Sequence, residues 1–231
     1  MYTGKTVLIT GSSRGVGKML ADHFISNHAT VIGLSRYAEG VEGMNYYRCD
    51  LSDPQEIISV MKNIYKNHSN LNIIINNAAV LTSQYAWKMG VDDARSMVDI
   101  DLLSPFFVAR EGSKLMLHGG RIVNISSMAV PLEPMGDSMY AACKAGLEKM
   151  GNIMAKEFNT FGITVNTLGI SAIETDMLKQ LNKEKIDKVV ANLPIPRYAT
   201  IEDITNVIDF FCSPKSNYIT AQTIYLGGVH S

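Results

Sequence analysis

Short runs of β-branched and aliphatic residues alternate with helix-patterned stretches along the whole of this 231-residue sequence. Thr6–Ile9, Thr30–Leu34, Leu71–Ile75, Arg121–Ile125, Ile163–Leu168 and Thr223–Leu226 read as strands. The intervening pattern predicts helices over Gly15–His28, Pro54–Lys66, about Asp92–Leu117, about Ser138–Thr160 and near Glu202–Phe211. The strands are apolar throughout rather than alternating, which suits parallel strands buried on both faces. Such an order implies right-handed crossovers and an α/β architecture, a doubly wound parallel sheet flanked by helices on both faces. Ligands of such sheets sit at the carboxyl ends of the strands, so the residues just after each strand are the ones to inspect.

No linker or low-complexity stretch interrupts the alternation, and one domain over residues 1–231 is expected. With 21 Lys and Arg against 22 Asp and Glu, the formal charge is −1, which disfavours nucleic acid as a partner. No apolar run approaches the roughly 18 residues that span a bilayer, so no membrane is expected. A strand begins within a few residues of Met1, which leaves no room for a signal peptide. Cys49, Cys143 and Cys212 are scattered and form no CxxC pair, and the histidines show no metal spacing. A disulfide framework and a metal site are therefore not expected, and a cytoplasmic location is.

Directly after the first strand the chain reads Thr10-Gly11-Ser12-Ser13-Arg14-Gly15-Val16-Gly17. Glycines there allow a tight turn, close approach of backbone N–H groups to a pyrophosphate, and packing of a helix start on the sheet. On the residues alone, the same glycines also serve a strand-to-helix turn with no ligand. Asp50-Leu51 follows an apolar stretch, and Asn76-Asn77-Ala78-Ala79 follows a strand. Asn124-Ile125-Ser126-Ser127 ends another, and Tyr140-Ala141-Ala142-Cys143-Lys144 gives a YxxxK pattern thirteen residues after Ser127. Val165-Asn166, Ile173-Glu174-Thr175-Asp176-Met177, Tyr218-Ile219-Thr220 and Gly227-Gly228 complete the series.

In order and over nearly the whole length, these motifs resemble the classical short-chain dehydrogenase/reductase family, with its Rossmann-type fold. The stretch from Glu174 to Pro214 is most like the 3-oxoacyl-[acyl-carrier-protein] reductases of that family. The resemblance implies a nicotinamide dinucleotide held by Gly11, Ser13, Arg14, Gly15, Val16 and Gly17, with Asp50 and Leu51 near the adenine. It also implies cofactor contacts from Asn77, Ala78, Ala79, Ile173 and Thr175, and from Lys144 to the nicotinamide ribose.

Tyr140 and Lys144 stand one helical turn apart and so face the same way. An ammonium beside a phenol is expected to lower the tyrosine pKa from about 10 toward working pH. Tyr140 is then the proton donor to a carbonyl oxygen, with Ser127 hydrogen-bonded to the same oxygen. Cofactor choice is legible after the second strand. NAD users commonly carry an acid about 18 residues past the last glycine, where this chain has Ser35 followed by Arg36. Arg36 and Arg14 suit a 2′-phosphate, so NADP(H) is favoured over NAD(H); both are also ordinary solvated charges if that reading fails.

Four departures from the family pattern matter. Asp101 stands where the family usually places its fourth catalytic residue, an Asn, and an ionised carboxylate cannot donate a hydrogen bond. Asp101 is kept as a catalytic candidate, the alternative being that it only fills a helix bend beside Pro105. Ala79 replaces a glycine, Ile170-Ser171 a frequent Pro-Gly, and Ala221 a frequent glycine. At two places where carrier-protein reductases usually present basic residues, this chain has His118 and Phe161, with Lys114 and Lys156 nearby. Leu81, Val130, Met135, Ala172 and Leu178 are candidates to line an apolar substrate pocket, and Leu147, Met150 and Met154 a helix stripe for a second subunit.

The expected function is NADPH-dependent reduction of a carbonyl, in a 3-oxoacyl thioester, ketone or similar small molecule, by a homodimer or homotetramer. The alternative, motivated by Asp101, Ala79 and Ile170-Ser171, is a cofactor-binding protein of the same fold with weak or lost catalysis and a regulatory role.

Overall fold

Ile73–Asn76 carries three consecutive isoleucines, all buried, and it lies at the centre of the sheet because neither face of such a strand can meet water. In the computed structural model, residues 2–37, 41–179 and 181–229 are described. Seven strands form one sheet: β1 (Thr6–Thr10), β2 (Thr30–Ser35), β3 (Met44–Arg48), β4 (Ile73–Asn76), β5 (Gly120–Ser127), β6 (Ile163–Ile170) and β7 (Thr223–Tyr225). Their order is β3-β2-β1-β4-β5-β6-β7 and every pairing is parallel. The direction of winding reverses between β1 and β4, which opens a crevice at their carboxyl ends.

The helices are α1 (Gly15–Ser26), α2 (Pro54–Asn67), α3 (Val91–Met97), α4 (Ser104–Ser113), α5 (Ala129–Leu132), α6 (Ser138–Phe158), α7 (Asp176–Lys179), α8 (Lys183–Ala191) and α9 (Ile201–Cys212). Alternate side chains of each strand serve opposite layers. Val7 and Ile9 of β1 join Leu20 and Phe24 of α1 and Ile204 and Ile208 of α9 on one face. Leu8 between them joins Ile57 and Met61 of α2, Val108 of α4 and Met154 of α6 on the other. The doubly wound architecture expected from the alternation is the one present.

Some elements differ from the expectation. β3 is an edge strand of sequence MNYYR, half-buried and rich in polar atoms, so it lacks the apolar run that marks its neighbours. The single helix expected over Asp92–Leu117 is three pieces. α3 passes into a π-helical turn over Val98–Leu103 before α4 begins. Pro105 in the first turn of α4 donates no backbone N–H, and the Ser104 hydroxyl donates to the Ile100 carbonyl at 2.8 Å, inside that turn. Helix α8 was not legible as a separate element, although Asn182 caps it by accepting from the Lys185 N–H at 3.1 Å.

One further point corrects the sequence reading. Leu147 and Met154 are buried in the chain's own core and Met150 packs against it, because their spacing turns that face of α6 to the sheet. Ile153 is the exposed apolar residue of that helix, with Leu103 and Phe106 exposed near α4. Ala221 adopts φ +57°, a left-handed conformation that a glycine would reach without strain. Its N–H donates to the Val165 carbonyl at 2.8 Å, which holds it there.

Candidate active site

The glycine-rich turn is shaped by backbone contact. A Cβ on Gly17 would lie 2.2 Å from the Gly11 carbonyl oxygen, so α1 approaches β1 closer than any side chain permits. Gly11 and Gly15 both have positive φ, +67° and +55°. No side chain caps the amino terminus of α1. Its first N–H groups are thus left to a ligand or to water, which is the arrangement a pyrophosphate uses. Thr10 fixes the neighbouring strand end, its Oγ1 accepting from the N–H groups of Asn77 and Ala78, both at 3.0 Å. The Asn77 side chain donates to the Thr10 carbonyl at 3.0 Å.

A cavity of about 1160 Å³ runs over these strand ends, and every proposed cofactor residue borders it. Gly11, Ser13, Arg14, Gly15, Val16 and Gly17 form its floor at β1. Ser35 and Arg36 border it after β2, and Asp50 and Leu51 after β3. Asn77, Ala78 and Ala79 follow β4, and Ile173 and Thr175 follow β6. The Asp50 carboxyl accepts from the Ser52 N–H at 3.0 Å and hydroxyl at 2.8 Å, bonds that hold it below the usual carboxylate range. Arg14 and Arg36 are exposed, and among the described residues neither makes an ion pair. The turn, the uncapped helix and these two exposed guanidinium groups fit a phosphorylated dinucleotide.

Ser127, Tyr140 and Lys144 border the same cavity. Ser127 ends β5, and its hydroxyl accepts from the Ala129 N–H at 3.1 Å. The Lys144 ammonium donates to the Ile125 carbonyl at 3.0 Å and lies 5.7 Å from the centre of the Tyr140 ring. The lowered tyrosine pKa expected from the sequence is not what this environment gives. Burial pushes the Tyr140 phenol up, the Asp101 carboxylate adds to that, the nearby Ser127 hydroxyl opposes it, and Asp137 adds a smaller increment. Tyr140 therefore carries its proton at neutral pH. Burial also pulls Lys144 down, against the carboxylate of Asp101 and then the smaller effects of Cys143 and Glu148.

Asp101 stands in the π-helical turn, fully buried and behind the cavity rather than on its wall. One carboxylate oxygen accepts from the Val80 N–H at 2.8 Å and the other has no partner. Burial pushes its pKa up to about 6, with Lys144 and the Val80 bond pulling the other way.

The substrate side is mostly apolar. Leu81, Met135, Ala172 and Leu178 border the cavity as expected, but Val130 does not. It lies within the single turn of α5, whose Ala129 and Leu132, three residues apart, are the ones that face the cavity. Helix α8 contributes Ile186 and Val189, which the sequence reading missed. Their i,i+3 spacing after the Asn182 cap was the available signal.

Comparison with known proteins agrees with this site. A family model described as enoyl-(acyl carrier protein) reductase matches residues 11–230. The 3-oxoacyl-[acyl-carrier-protein] reductase FabG of Buchnera aphidicola is 32% identical over 98% of this chain and 97% of its own length. The protein of the same name from Rickettsia conorii is 34% identical, covering 98% and 96%. A short-chain dehydrogenase/reductase structure from Serratia marcescens superimposes with a TM-score of 0.89 at 26% identity, covering 98% of both chains. With its seven parallel strands, its glycine-rich turn, and Ser127 at the end of β5 beside Tyr140 and Lys144 of α6, this chain belongs to the short-chain dehydrogenase/reductase family and is an oxidoreductase most like the 3-oxoacyl-[acyl-carrier-protein] reductases.

Proposed function

We propose that the chain is an NADPH-dependent reductase of a carbonyl, with a 3-oxoacyl thioester as the best-fitting substrate. One observation carries this reading: Ser127, Tyr140 and Lys144 border the same cavity as the glycine-rich turn. A bound nicotinamide dinucleotide supplies the hydride. Tyr140, protonated at neutral pH by virtue of its burial, gives its proton to the substrate oxygen. Ser127 holds that oxygen, and Lys144 places a positive charge behind the phenol as it loses its proton. A protonated phenol is the form that can donate in this step.

Exposed Arg14 and Arg36, which make no ion pair among the described residues, and the absence of an acid at Ser35 support NADPH over NADH. The apolar wall from Leu81, Leu178, Ile186 and Val189 suits an acyl chain. His118 and Phe161, both exposed, lie at the amino-terminal edge of the sheet, away from this wall. Exposed Leu103, Phe106 and Ile153 support association with a second copy, which sedimentation velocity reads directly. Among the described residues no helix is long and apolar enough to cross a membrane, and a cytoplasmic enzyme fits the three free cysteines.

The test is NADPH oxidation with acetoacetyl and crotonyl thioesters side by side. Turnover of the acetoacetyl ester alone supports carbonyl reduction. Turnover of the crotonyl ester alone refutes it in favour of enoyl reduction. Cofactor binding without turnover on either ester or on a panel of ketones supports the regulatory alternative.

A further inference from the structure

Ser126, Gly169 and Tyr225 are register partners in one row across β5, β6 and β7. The middle position has no side chain, and a Cβ there would lie 2.1 Å from the Tyr225 ring. The tyrosine therefore leans over β6 toward β5. Glu148 of α6 meets it: one carboxylate oxygen accepts from the Tyr225 hydroxyl at 2.7 Å, the other from the Ser126 hydroxyl. Ser126 immediately precedes Ser127, and Glu148 is one helical turn beyond Lys144 on the same side of α6.

We propose that Glu148 is a positioning residue for the reduction, tying the catalytic ends of β5 and α6 to β7 and keeping a negative charge beside Lys144. This deepens the assignment of Ser127, Tyr140 and Lys144 made above and rests on it. Two consequences follow from one carboxylate. Both hydroxyl bonds fix the backbone that carries Ser127, so its placement depends on Glu148 without any contact to substrate. The charge opposes the burial of Lys144 and helps keep the ammonium charged. The charged groups that act on Lys144 are Asp101 from the π-helical turn and Glu148 from its own helix, with Cys143 beside it and the Tyr140 ring 5.7 Å away. Tyr225 is the titratable group facing Glu148 from β7.

Glu148→Gln removes the charge and keeps the shape, whereas Tyr225→Phe keeps the charge and removes one bond. The titration of Lys144 is read by NMR on cofactor-free protein carrying ¹³C at the lysine ε-carbons, the signal assigned by its loss in Lys144→Ala. In Glu148→Gln, Lys144 titrates at lower pH than in the wild type. The alkaline limb of kcat moves down with it, while KM for NADPH holds. In Tyr225→Phe the titration stays and kcat falls about tenfold at every pH, the size expected of a small misplacement. An unmoved Lys144 titration in Glu148→Gln overturns the electrostatic half, and an unchanged kcat in Tyr225→Phe overturns the positional half. If Glu148→Gln does not fold, Tyr225→Phe decides the positional half, and Glu148→Met, which also removes the charge, decides the electrostatic half by the same titration. A shifted lysine signal in a protein with no reductase turnover overturns the catalytic reading instead and leaves the Glu148–Lys144 coupling standing.

Discussion

The Lys144 ammonium donates to the Ile125 carbonyl, joining the middle of α6 to a strand position two residues before Ser127. A fully buried cation is thus held by a backbone dipole while its charge faces Tyr140 and Asp101. The catalytic side chains are fixed by the strand–helix joint and not by loops, which keeps their geometry when the substrate loops change.

Tyr140→Phe removes the proton donor and leaves the rest of the wall intact. Turnover is expected to fall by about 10²–10⁴-fold, with NADPH affinity by fluorescence titration within a factor of about two. Near-normal turnover would assign the proton to another group.

Asp101→Asn tests the buried carboxylate. Its pKa rises from 3.8 to about 6 on folding, so the native state binds the proton more tightly than the unfolded chain. Stability contributed by the protonated form is full below pH 3.8 and is lost as pH rises to about 6. The variant should lose that slope in urea midpoints measured from pH 4 to 7. At neutral pH it should gain about 1–2 kcal/mol, less than the full linkage value because Lys144 loses its strongest carboxylate neighbour. Parallel wild-type and variant curves would refute the shift.

Gly17→Ala drives a methyl into the Gly11 carbonyl, a backbone atom that cannot turn aside. A loss of about 1–3 kcal/mol is expected, read by thermal unfolding, together with weakened NADPH binding. A variant of wild-type stability and affinity would mean that α1 can slide along the sheet.

Arg36→Asp places an acid where the 2′-phosphate is expected. The ratio of kcat/KM for NADPH over NADH should drop by at least tenfold, about 1.4 kcal/mol. An unchanged ratio would remove Arg36 from cofactor selection.

Ala221→Gly relieves a left-handed alanine. A gain of about 1 kcal/mol is expected in chemical denaturation, with activity unchanged because Ala221 does not border the cavity. A loss of stability would show that the entropy of glycine in the unfolded chain outweighs the strain.

The central strands and the glycine-rich turn were legible because burial on both faces and backbone crowding leave direct marks in residue type. β3 escaped because an edge strand with one solvated side needs no apolar run. The site residues at strand ends were legible as motifs, but their electrostatics were not. Helical spacing put Lys144 beside Tyr140, yet the sign of the tyrosine shift depends on burial and on Asp101, which is 39 residues from Tyr140 and 43 from Lys144 in sequence and acts on both only once the chain is folded. Glu148 was invisible for the same reason: its partners, Ser126 and Tyr225, come from two strands separated by a third.

The π-helical turn at Val98–Leu103 has a meaning beyond the burial of Asp101. A π turn holds more residues than an α turn, so the side-chain pattern after it is offset from the pattern before it. The two helical segments on either side are therefore out of phase, which lets α3 present Met97 to the Tyr140 side while α4 presents Val108 to the sheet. Deleting one residue from this turn would leave an α turn in its place, and Asp101 would lose the wider turn that carries it.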